Sequence, residues 1–568
     1  MKRSKLSPWF RGSLGVAALA LTSSALTGRV HAYGGVWSAQ GTTITQSAER
    51  VIFVDHPGPT LTAIVQLAYT GPAQKFAWLV PVPGAASVEV SSSAVFDRLE
   101  AVTSPQYWAA VEVAGSCQRA HVFDTAYETP DADASNDAAP SGPVRVLDRS
   151  SVGPYDYVHI ALDPTTADPA TAATAWLAAE GYDLTGLDGR VLSPYLKDGL
   201  GLLAFKLSKN SDVGALRPVM LTYESERPVI PLRPTAVSAQ HDLGIEVWLF
   251  GPTQAVPENY KALVLNDALI DWSSARKFAA GTLPAGGAGP FGPVLDRPRN
   301  YDALVTAAAN EAGGQGFVTE LAGPSSRFRT KVWSALDAET FATIREESHA
   351  DGIAALYAAD AHYGGWDGWR EAVAGAVTLP AGVTLEAFGR DPSRYRGAAV
   401  VDADAFLRLL EEKVIKPVVD AAALLSATPY LTRLYTTMSP GEMTVDPVFT
   451  YNYDLDQVSN IQVARQYVQC SPALLRPEDA PWYMNLPQCG VVTGEGSRWP
   501  LSVGALPANL KVVALSTQGA GEVTRDNSQE IGTKLFAHSG TIGDATTILR
   551  RPQHGVPIGG TQRVERRP

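Results

Sequence analysis

Short apolar runs and apolar–polar alternation dominate the chain from residue 33 to about residue 275. Glu49–Asp55 reads E-R-V-I-F-V-D, and Leu61–Tyr69 follows it after the turn His56–Pro59. Two such runs around a Pro/Gly turn predict a β-hairpin. Further strands are predicted at Phe76–Val80, Tyr157–Leu162, Leu200–Leu207, Arg217–Tyr223, Val229–Val237 and Gly244–Phe250.

Two helices are predicted inside this β-rich stretch. The first spans about Ala94–Thr103. The second begins after the cap residue Asp168, has Pro169 at its first position, and ends at Gly181, where a C-terminal glycine is typical. We therefore interpret residues 33–275 as one β-rich domain with antiparallel, sandwich-like sheets and two helices.

After residue 301 the apolar spacing becomes helical. Asp404–Lys416 places Phe406, Leu410 and Val414 along one face, and Pro417 should bend or end that helix. The fold class predicted from the whole pattern is α+β. Beyond the β-rich domain, the predicted segments are a Gly/Pro-rich linker or loop at 276–300, a helical region at 301–437, an irregular or β C-terminal part with a disulfide at 438–550 and a tail at 551–568.

The N-terminal residues have the pattern of a secretory leader. A basic start precedes the apolar run Leu14–Leu26, and small residues stand at the two positions that signal peptidase reads in Val30–Ala32. This predicts a signal peptide at 1–32, cleaved between Ala32 and Tyr33. No later run reaches the roughly 18 apolar residues of a membrane helix. We expect an exported protein without a membrane span in the mature chain, located in the periplasm, at the outer envelope or outside the cell.

Size and charge narrow the function classes. The 568 residues exceed the roughly 250–300 residues at which one hydrophobic core stops growing, so two or more domains are expected.

The formal net charge is −12, and loss of the basic leader makes the mature chain still more acidic. Because phosphate backbones are bound by basic patches, nucleic acid and anionic membrane surfaces are excluded as expected partners.

The chain has three cysteines. Cys470 and Cys489 are close in sequence, and the residues between them are rich in proline. An oxidising compartment makes these two the expected disulfide partners. Cys117 is then left either as a buried, inert thiol or as one half of an intermolecular bridge.

Several short motifs of the chain belong together: Gly34-Gly35, Glu49–Phe53, Phe76–Gly84, Gly153–Tyr155, Trp176 with Gly181-Tyr182, Pro228–Arg233 and Gly313–Gln315. With these motifs the chain resembles an uncharacterised secreted bacterial family, domain of unknown function 2330. The resemblance covers roughly residues 33–328 and implies no activity, because the family has none assigned. Cysteines that often flank the Gly-Gly pair in such proteins are missing here, so Cys117 is interpreted as a thiol without its usual partner.

Candidate catalytic and metal-binding patterns are weak. No two histidines have the spacing of H-E-x-x-H, and the sequence has no G-x-S-x-G turn. Ser274–Lys277 matches S-x-x-K without a second element, and Trp366 with Trp369 is interpreted as core packing rather than a sugar-binding platform. No catalytic residue, cofactor or metal site is predicted.

Val80–Gly84, with alternating prolines, is the most distinctive motif of the chain. Prolines cannot donate to a sheet, so we interpret it as the end of the preceding strand rather than as a central strand or a polyproline ligand.

Two function classes remain. The preferred hypothesis is an exported, non-catalytic envelope or extracellular protein that binds or scaffolds protein or polysaccharide. The alternative is a secreted hydrolase of peptide or glycan whose site is assembled from distant residues. A deep pocket lined with convergent carboxylates or a Ser/His pair would favour the hydrolase, whereas a flat or grooved surface with aromatic patches would favour binding.

Overall fold

The computed structural model describes residues 35–37, 45–66, 69–70, 77–117, 145–162, 166–182, 189–207, 217–279, 297–328, 342, 344–346, 352–363, 370–495 and 505–539. The predicted signal peptide, its cleavage position at Ala32 and Tyr33, and the predicted tail lie outside these residues. No helix among the described residues has the length and apolar character needed to cross a membrane.

Three sheets form the framework. The large sheet has eleven strands, which run from one edge to the other as Glu522–Asp526, Asn509–Ala514, Lys261–Leu265, Gly316–Pro324, Tyr430–Met438, Ala239–Gly251, Thr45–Asp55, Thr60–Gln66, Val219–Glu224 and Ala86–Val90, with Tyr69–Thr70 also paired to Thr45–Asp55. The small sheet contains Gly35–Trp37, Ala77–Val82, Gly201–Leu207, Tyr155–Ala161 and Arg145–Val152. The side sheet contains Arg276–Ala279, Gln106–Ala114, Ile461–Gln469, Pro481–Leu486 and Gly490–Glu495.

Two short ribbons and the helices complete the described elements. Gln254–Pro257 pairs with Phe449–Asn452, and Val377–Thr378 pairs with Val400–Val401. The α-helices are Ser93–Thr103, Pro169–Ala179, Gly189–Lys197, Leu232–Thr235, Tyr301–Glu311, Gly352–Tyr363, Arg370–Ala374, Leu385–Arg390, Ala403–Leu410, Lys416–Ser426 and Ser528–Ser539. The β-rich α+β class predicted from the sequence is therefore confirmed.

The large and small sheets pack face to face. Val51, Leu249 and Leu434 of the large sheet meet Trp78 and Phe205 of the small sheet in one fully buried cluster. The face of the small sheet that points away from the large sheet is covered by the helices Pro169–Ala179 and Gly189–Lys197, which pack on it over a second apolar cluster. The other face of the large sheet is covered by helices at one end and by the side sheet at the other.

Local cap chemistry explains the helices that the sequence predicted. The Asp168 carboxylate accepts the N–H of Thr171 at 3.1 Å, and Pro169 occupies the first turn, which needs no N–H donor. Pro417 does not end its helix. A π-helical turn at Glu411–Ile415 joins Ala403–Leu410 to Lys416–Ser426. Pro417 cannot donate to the carbonyl four residues earlier, and the Lys413 carbonyl instead accepts a hydrogen bond from Arg217 Nη2 at 2.9 Å.

Pro81 lies inside a strand rather than after it. Ala77–Val82 is fully buried, and Pro81 pairs with Leu202 on one side. On the other side Gly35–Trp37 covers only Ala77, Trp78 and Leu79. Pro81 therefore lies beyond the end of the strand Gly35–Trp37. No strand on that side needs a backbone N–H from the proline.

The expectation of antiparallel sheets is wrong for four strand pairs. Ala239–Gly251 runs parallel to Thr45–Asp55, and Lys261–Leu265 runs parallel to Gly316–Pro324. Gln106–Ala114 is parallel to both of its neighbours, Arg276–Ala279 and Ile461–Gln469. These partners are far apart in sequence, so no hairpin turn marks the pairing.

The large sheet also crosses the predicted segment boundaries. It takes strands from Thr45–Asp55 to Glu522–Asp526, and Tyr430–Met438 spans the boundary placed after residue 437. The predicted linker at 276–300 begins with a strand, Arg276–Ala279, and its last residues include the buried Arg297. The segments therefore share one sheet rather than each having its own.

The predicted Cys470–Cys489 disulfide is wrong, because Cys470 is bonded to Cys117 and Cys489 is free. In the side sheet Val468 pairs with Trp482, which places Cys470 near the start of the strand Pro481–Leu486. Cys489 lies in the turn that follows the other end of this strand. Their separation is on the order of 20 Å at about 3.3 Å per strand residue, whereas bridged Cα atoms lie about 4.4–6.8 Å apart. Cys117 and Cys470 both follow the ends of adjacent parallel strands, with Cα atoms 5.1 Å apart.

Replacing Cys117 with serine is predicted to lower the free energy of unfolding by about 2–5 kcal/mol, because the cross-link restricts the unfolded chain. Cys489→Ser, the matched control, should change it by less than about 1 kcal/mol, since a free thiol supplies no cross-link. Urea unfolding under non-reducing conditions measures both values. Peptide mapping that links Cys489 to either partner would contradict the assignment.

Candidate functional site

Four neighbouring strands of the large sheet place alternating charges in one buried row. The row consists of Glu320, Arg433, Glu246 and Arg50, one residue from each strand, and we call it the charge row. Glu246 is directly opposite Arg50, and Arg433 lies opposite both Trp248 and Leu321. All four side chains are at most 6% exposed. The row therefore crosses the sheet interior rather than its surface.

The ion pairs along the charge row are direct. Arg50 Nε lies 3.2 Å from Glu246 Oε2, and Arg433 Nη2 lies 3.2 Å from Glu246 Oε1. Arg433 Nε lies 2.5 Å from Glu320 Oε2. Each glutamate of the row therefore contacts at least one arginine, as buried charges require.

The helix Ser93–Thr103 supplies the partners on one side of the row. Arg50 forms ion pairs with Glu100 and, at 2.9 Å, with Asp97. Arg433 Nη1 donates to Thr103 Oγ1 at 3.1 Å, and the Thr103 hydroxyl also accepts a hydrogen bond from Trp248 Nε1 at 2.9 Å. These contacts fix the helix on the sheet.

Arg297 lies in the segment predicted to be a linker, and it also contacts the charge row. We call the charge row, its helix partners Asp97 and Glu100, and Arg297 together the charge cluster. Its guanidinium lies 3.6 Å from Glu246 and 3.7 Å from Glu320, and 3.1 Å from Asp302. It also stacks over the rings of Tyr301 and Tyr435, with centroids at 5.1 and 5.2 Å. Cation–π contacts of this kind are strongest where the cation is desolvated.

The electrostatics of this cluster favour a structural role. Burial and the charge of Glu246 oppose the charge of Glu100, but Arg50, Arg433 and Arg297 together outweigh them, and the pKa of Glu100 is lowered from its ordinary value. Burial likewise opposes the charge of Arg50, yet Glu100, Glu246 and Asp97 raise its pKa. Arg50 and Glu100 therefore stabilise each other's charged form.

Glu49, next to Arg50 in the chain, faces the opposite side of the large sheet. Its side chain is fully buried, and neither carboxylate oxygen has a hydrogen-bond partner among the described residues. Burial raises its pKa well above the ordinary value, the charge of Asp446 adds to the rise, and the Thr235 hydroxyl opposes it only in part. Asp446 is itself held by the Tyr195 hydroxyl at 2.7 Å. Glu49 is therefore a carboxyl group without solvent exposure whose neutral form is favoured.

The candidate residues predicted from sequence do not converge. Ser274 donates its hydroxyl to the Asp271 carbonyl at 2.7 Å, and Lys277 lies on a strand of the side sheet. Trp366 and Trp369 lie outside the described residues. Among the described residues, no group of three or more His, Cys, Asp or Glu side chains is arranged to hold a metal ion.

Sequence reasoning missed the residues of the charge cluster. Arg50 and Glu246 stand within apolar strand runs, E-R-V-I-F-V-D and G-I-E-V-W-L-F. A charge inside a buried strand is unusual and predicts a buried partner of opposite sign. The charges within these apolar runs therefore indicated buried partners, but they did not identify the partners among the chain's 58 acidic and 46 basic residues. For Arg297, surrounded by Gly and Pro, the sequence held no such signal.

The outer face of the side sheet is the exposed candidate. Along Ile461–Gln469 the inward residues, such as Ala464 and Val468, are buried, whereas Ile461 and Val463 are 38% and 43% exposed. On the same face, Tyr467 stacks on Tyr483 of the next strand at 4.7 Å between ring centroids. We call Ile461, Val463, Arg465, Tyr467 and Tyr483 the outer face.

Replacing Arg433 with methionine is predicted to lower the free energy of unfolding by about 3–5 kcal/mol, because Glu246 and Glu320 would lose a buried counter-charge. Arg227→Met is the matched control. Arg227 pairs with Glu258 at the surface, with both side chains near half exposed, so its loss should cost less than about 1 kcal/mol. Urea unfolding at pH 7 compares them, and equal effects would contradict a dominant role for the cluster.

Glu49→Gln is predicted to stabilise the protein increasingly as pH rises. The folded state holds the Glu49 proton to a higher pH than the unfolded chain, which releases it above the ordinary pKa. The wild type therefore loses stability, by up to about 1.4 kcal/mol per pH unit, from the unfolded pKa upward to the folded pKa. Unfolding at pH 4.5 and pH 7 should show the variant's advantage only at the higher pH. Glu258→Gln, at the surface, should show no such difference.

Comparison with known proteins agrees with the resemblance noted from the motifs. No curated protein matches the chain. A crystal structure of a mutated baculovirus P35 after caspase cleavage is similar over 39% of this chain and 78% of that chain, at 7% identity. Its TM-score of 0.19 is too low to support an inference about fold or function. The model of a family of uncharacterised proteins conserved in bacteria, domain of unknown function 2330, matches residues 30–322. The chain belongs to this bacterial family.

Proposed function

We propose that the protein is exported and acts as a non-catalytic binding protein at the cell envelope or outside the cell. The leader pattern of residues 1–32 supports export. The Cys117–Cys470 bond adds support, because disulfides persist in oxidising compartments and are rare in the cytosol.

The single observation that carries the binding proposal is the outer face. Most large apolar side chains of the described residues are buried, yet Ile461 and Val463 are exposed on one strand beside the Tyr467–Tyr483 pair. Apolar residues that are contiguous on a surface mark interaction sites more often than scattered ones do. A regular sheet also holds these side chains in fixed positions, which lowers the entropic cost of binding.

The chemistry of the outer face favours a protein partner over a polysaccharide. Ile461 and Val463 are aliphatic, and Tyr467 stacks one ring face on Tyr483 at an interplanar angle of 14°. Sugar rings stack on exposed aromatic faces, whereas aliphatic patches with an arginine such as Arg465 are typical of protein interfaces.

The test uses protein produced with its own leader. N-terminal sequencing of the exported material should begin at Tyr33. The mature protein should be retained by cell-envelope fractions, and Val463→Asp should reduce retention at least about tenfold, because a charge cannot be desolvated in an apolar contact. Val400→Asp is the matched control, since Val400 is 66% exposed on a different ribbon.

Several outcomes would contradict the proposal. An intact Met1 in exported material would overturn export. Retention that survives protease treatment of the envelope fraction but is lost on periodate oxidation would replace the protein partner with a polysaccharide. Chelator-sensitive or serine-inhibitor-sensitive turnover of a peptide or glycoside panel would favour the hydrolase.

A further inference from the structure

The side sheet holds two tyrosine rings in contact with each other. Tyr467 of Ile461–Gln469 and Tyr483 of Pro481–Leu486 are directly opposite each other on antiparallel strands. Their ring centroids lie 4.7 Å apart, and the planes differ by only 14°. Because directly opposite residues share one face of a sheet, strand pairing keeps the two phenol rings together.

This pair is accessible from solvent, whereas its oxidisable neighbours are not. Tyr467 and Tyr483 are both partly exposed. Trp482 and Met484, on either side of Tyr483 in the strand, are at most 4% exposed and pack in the core beneath the side sheet. Strand alternation therefore turns the indole and the thioether inward and the phenols outward. A small oxidant in the solvent reaches the phenols first.

Other tyrosines of the chain have either the contact or the exposure. Tyr301 contacts Tyr107 and Tyr435, with ring centroids 5.9 and 6.3 Å apart, but all three residues are at most 6% exposed. Tyr453 is 71% exposed and stacks on no ring among the described residues. Contact and exposure coincide at the pair on the outer face.

We propose that Tyr467 and Tyr483 form an oxidative cross-linking site, at which hydrogen peroxide and a haem peroxidase join the two rings as dityrosine. Each phenol first loses one electron and one proton. The two radicals then pair, and a bond forms between the ring carbons next to those that carry the hydroxyl groups. Each of these carbons gives up its hydrogen as a proton, and each phenolic oxygen regains one.

The electrons and atoms of this reaction balance without a further reactant. Two hydrogen atoms leave the protein in total, and they reduce one hydrogen peroxide to two water molecules. Because the folded sheet already holds the rings in contact, coupling within one chain is favoured over coupling between chains.

The cross-link would connect three neighbouring strands covalently. The Cys117–Cys470 disulfide already joins the ends of Gln106–Ala114 and Ile461–Gln469. Dityrosine would join Ile461–Gln469 to Pro481–Leu486 on its other side. This inference does not depend on the proposed binding function, because the reaction needs only the folded sheet and the oxidant.

The experiment treats the purified, folded chain with hydrogen peroxide and a haem peroxidase. Peptide mapping should find the peptides of Tyr467 and Tyr483 linked, with a mass two hydrogen atoms below their sum. Tyr467→Phe keeps the ring but cannot form a phenoxyl radical. This variant should lower the yield of dityrosine fluorescence at least about tenfold, because coupling between chains lacks the enforced contact.

Tyr453→Phe is the matched control. It removes a more exposed phenol that has no stacked partner ring, so the yield of dityrosine should stay unchanged. In wild type, the yield of the link between Tyr467 and Tyr483 should not depend on protein concentration. Unfolding in urea before oxidation should lower that yield at least about tenfold, because the strand pairing that supplies the contact is lost.

Three results would overturn the proposal. The first is absence of the link between Tyr467 and Tyr483 from oxidised, folded wild type. The second is an equal yield of dityrosine in wild type and Tyr467→Phe. The third is a yield of the link that rises in proportion to protein concentration. Tyr483→Phe repeats the comparison from the other strand if Tyr467→Phe does not fold.

Discussion

The charge row is the interaction on which the large sheet depends. Glu320, Arg433, Glu246 and Arg50 come from four adjacent strands that are up to several hundred residues apart in sequence. A shift of one strand by one residue would turn its charge toward the opposite, apolar face. Because an unpaired buried charge costs several kcal/mol, the ion pairs penalise every other register. Because desolvation offsets much of the attraction within a buried ion pair, the penalty for wrong registers is the larger effect we expect of this row.

The same cluster connects elements that have no strand pairing to each other. The helix Ser93–Thr103 is held through Glu100 and Thr103, and the chain before Tyr301–Glu311 is held through Arg297. Two separate apolar clusters lie on either side, one with the helical layer and one with the side sheet. Amide side chains make further joints, since Asn460 donates to the carbonyls of Val102 and Ser104. Polar contacts of this kind are directional and fix the relative placement of apolar surfaces that could otherwise slide.

Features with a local cause could be predicted from the sequence. The hairpin around His56–Pro59 and the helix capped by Asp168 follow from turn and cap chemistry within a few residues. The family could also be recognised, because each of its motifs is a short, uninterrupted run of residues. The parallel pairing of Gln106–Ala114 with Ile461–Gln469 could not, because no turn joins these strands and their apolar pattern fits many partners. The Cys117–Cys470 bond depends on that pairing and was therefore missed.

The sequence by itself determined the β-rich α+β class, the family and the presence of charges inside apolar strands. Only the tertiary structure decided which charges meet, that Arg297 is buried among Glu246 and Glu320, and that Cys489 faces Asp267 instead of Cys470. The physical reason is the separation along the chain between the residues that interact. Caps, turns and strand periodicity are set by neighbours in the chain, whereas ion pairs, disulfides and exposed faces are set by contacts that form only after distant strands have paired.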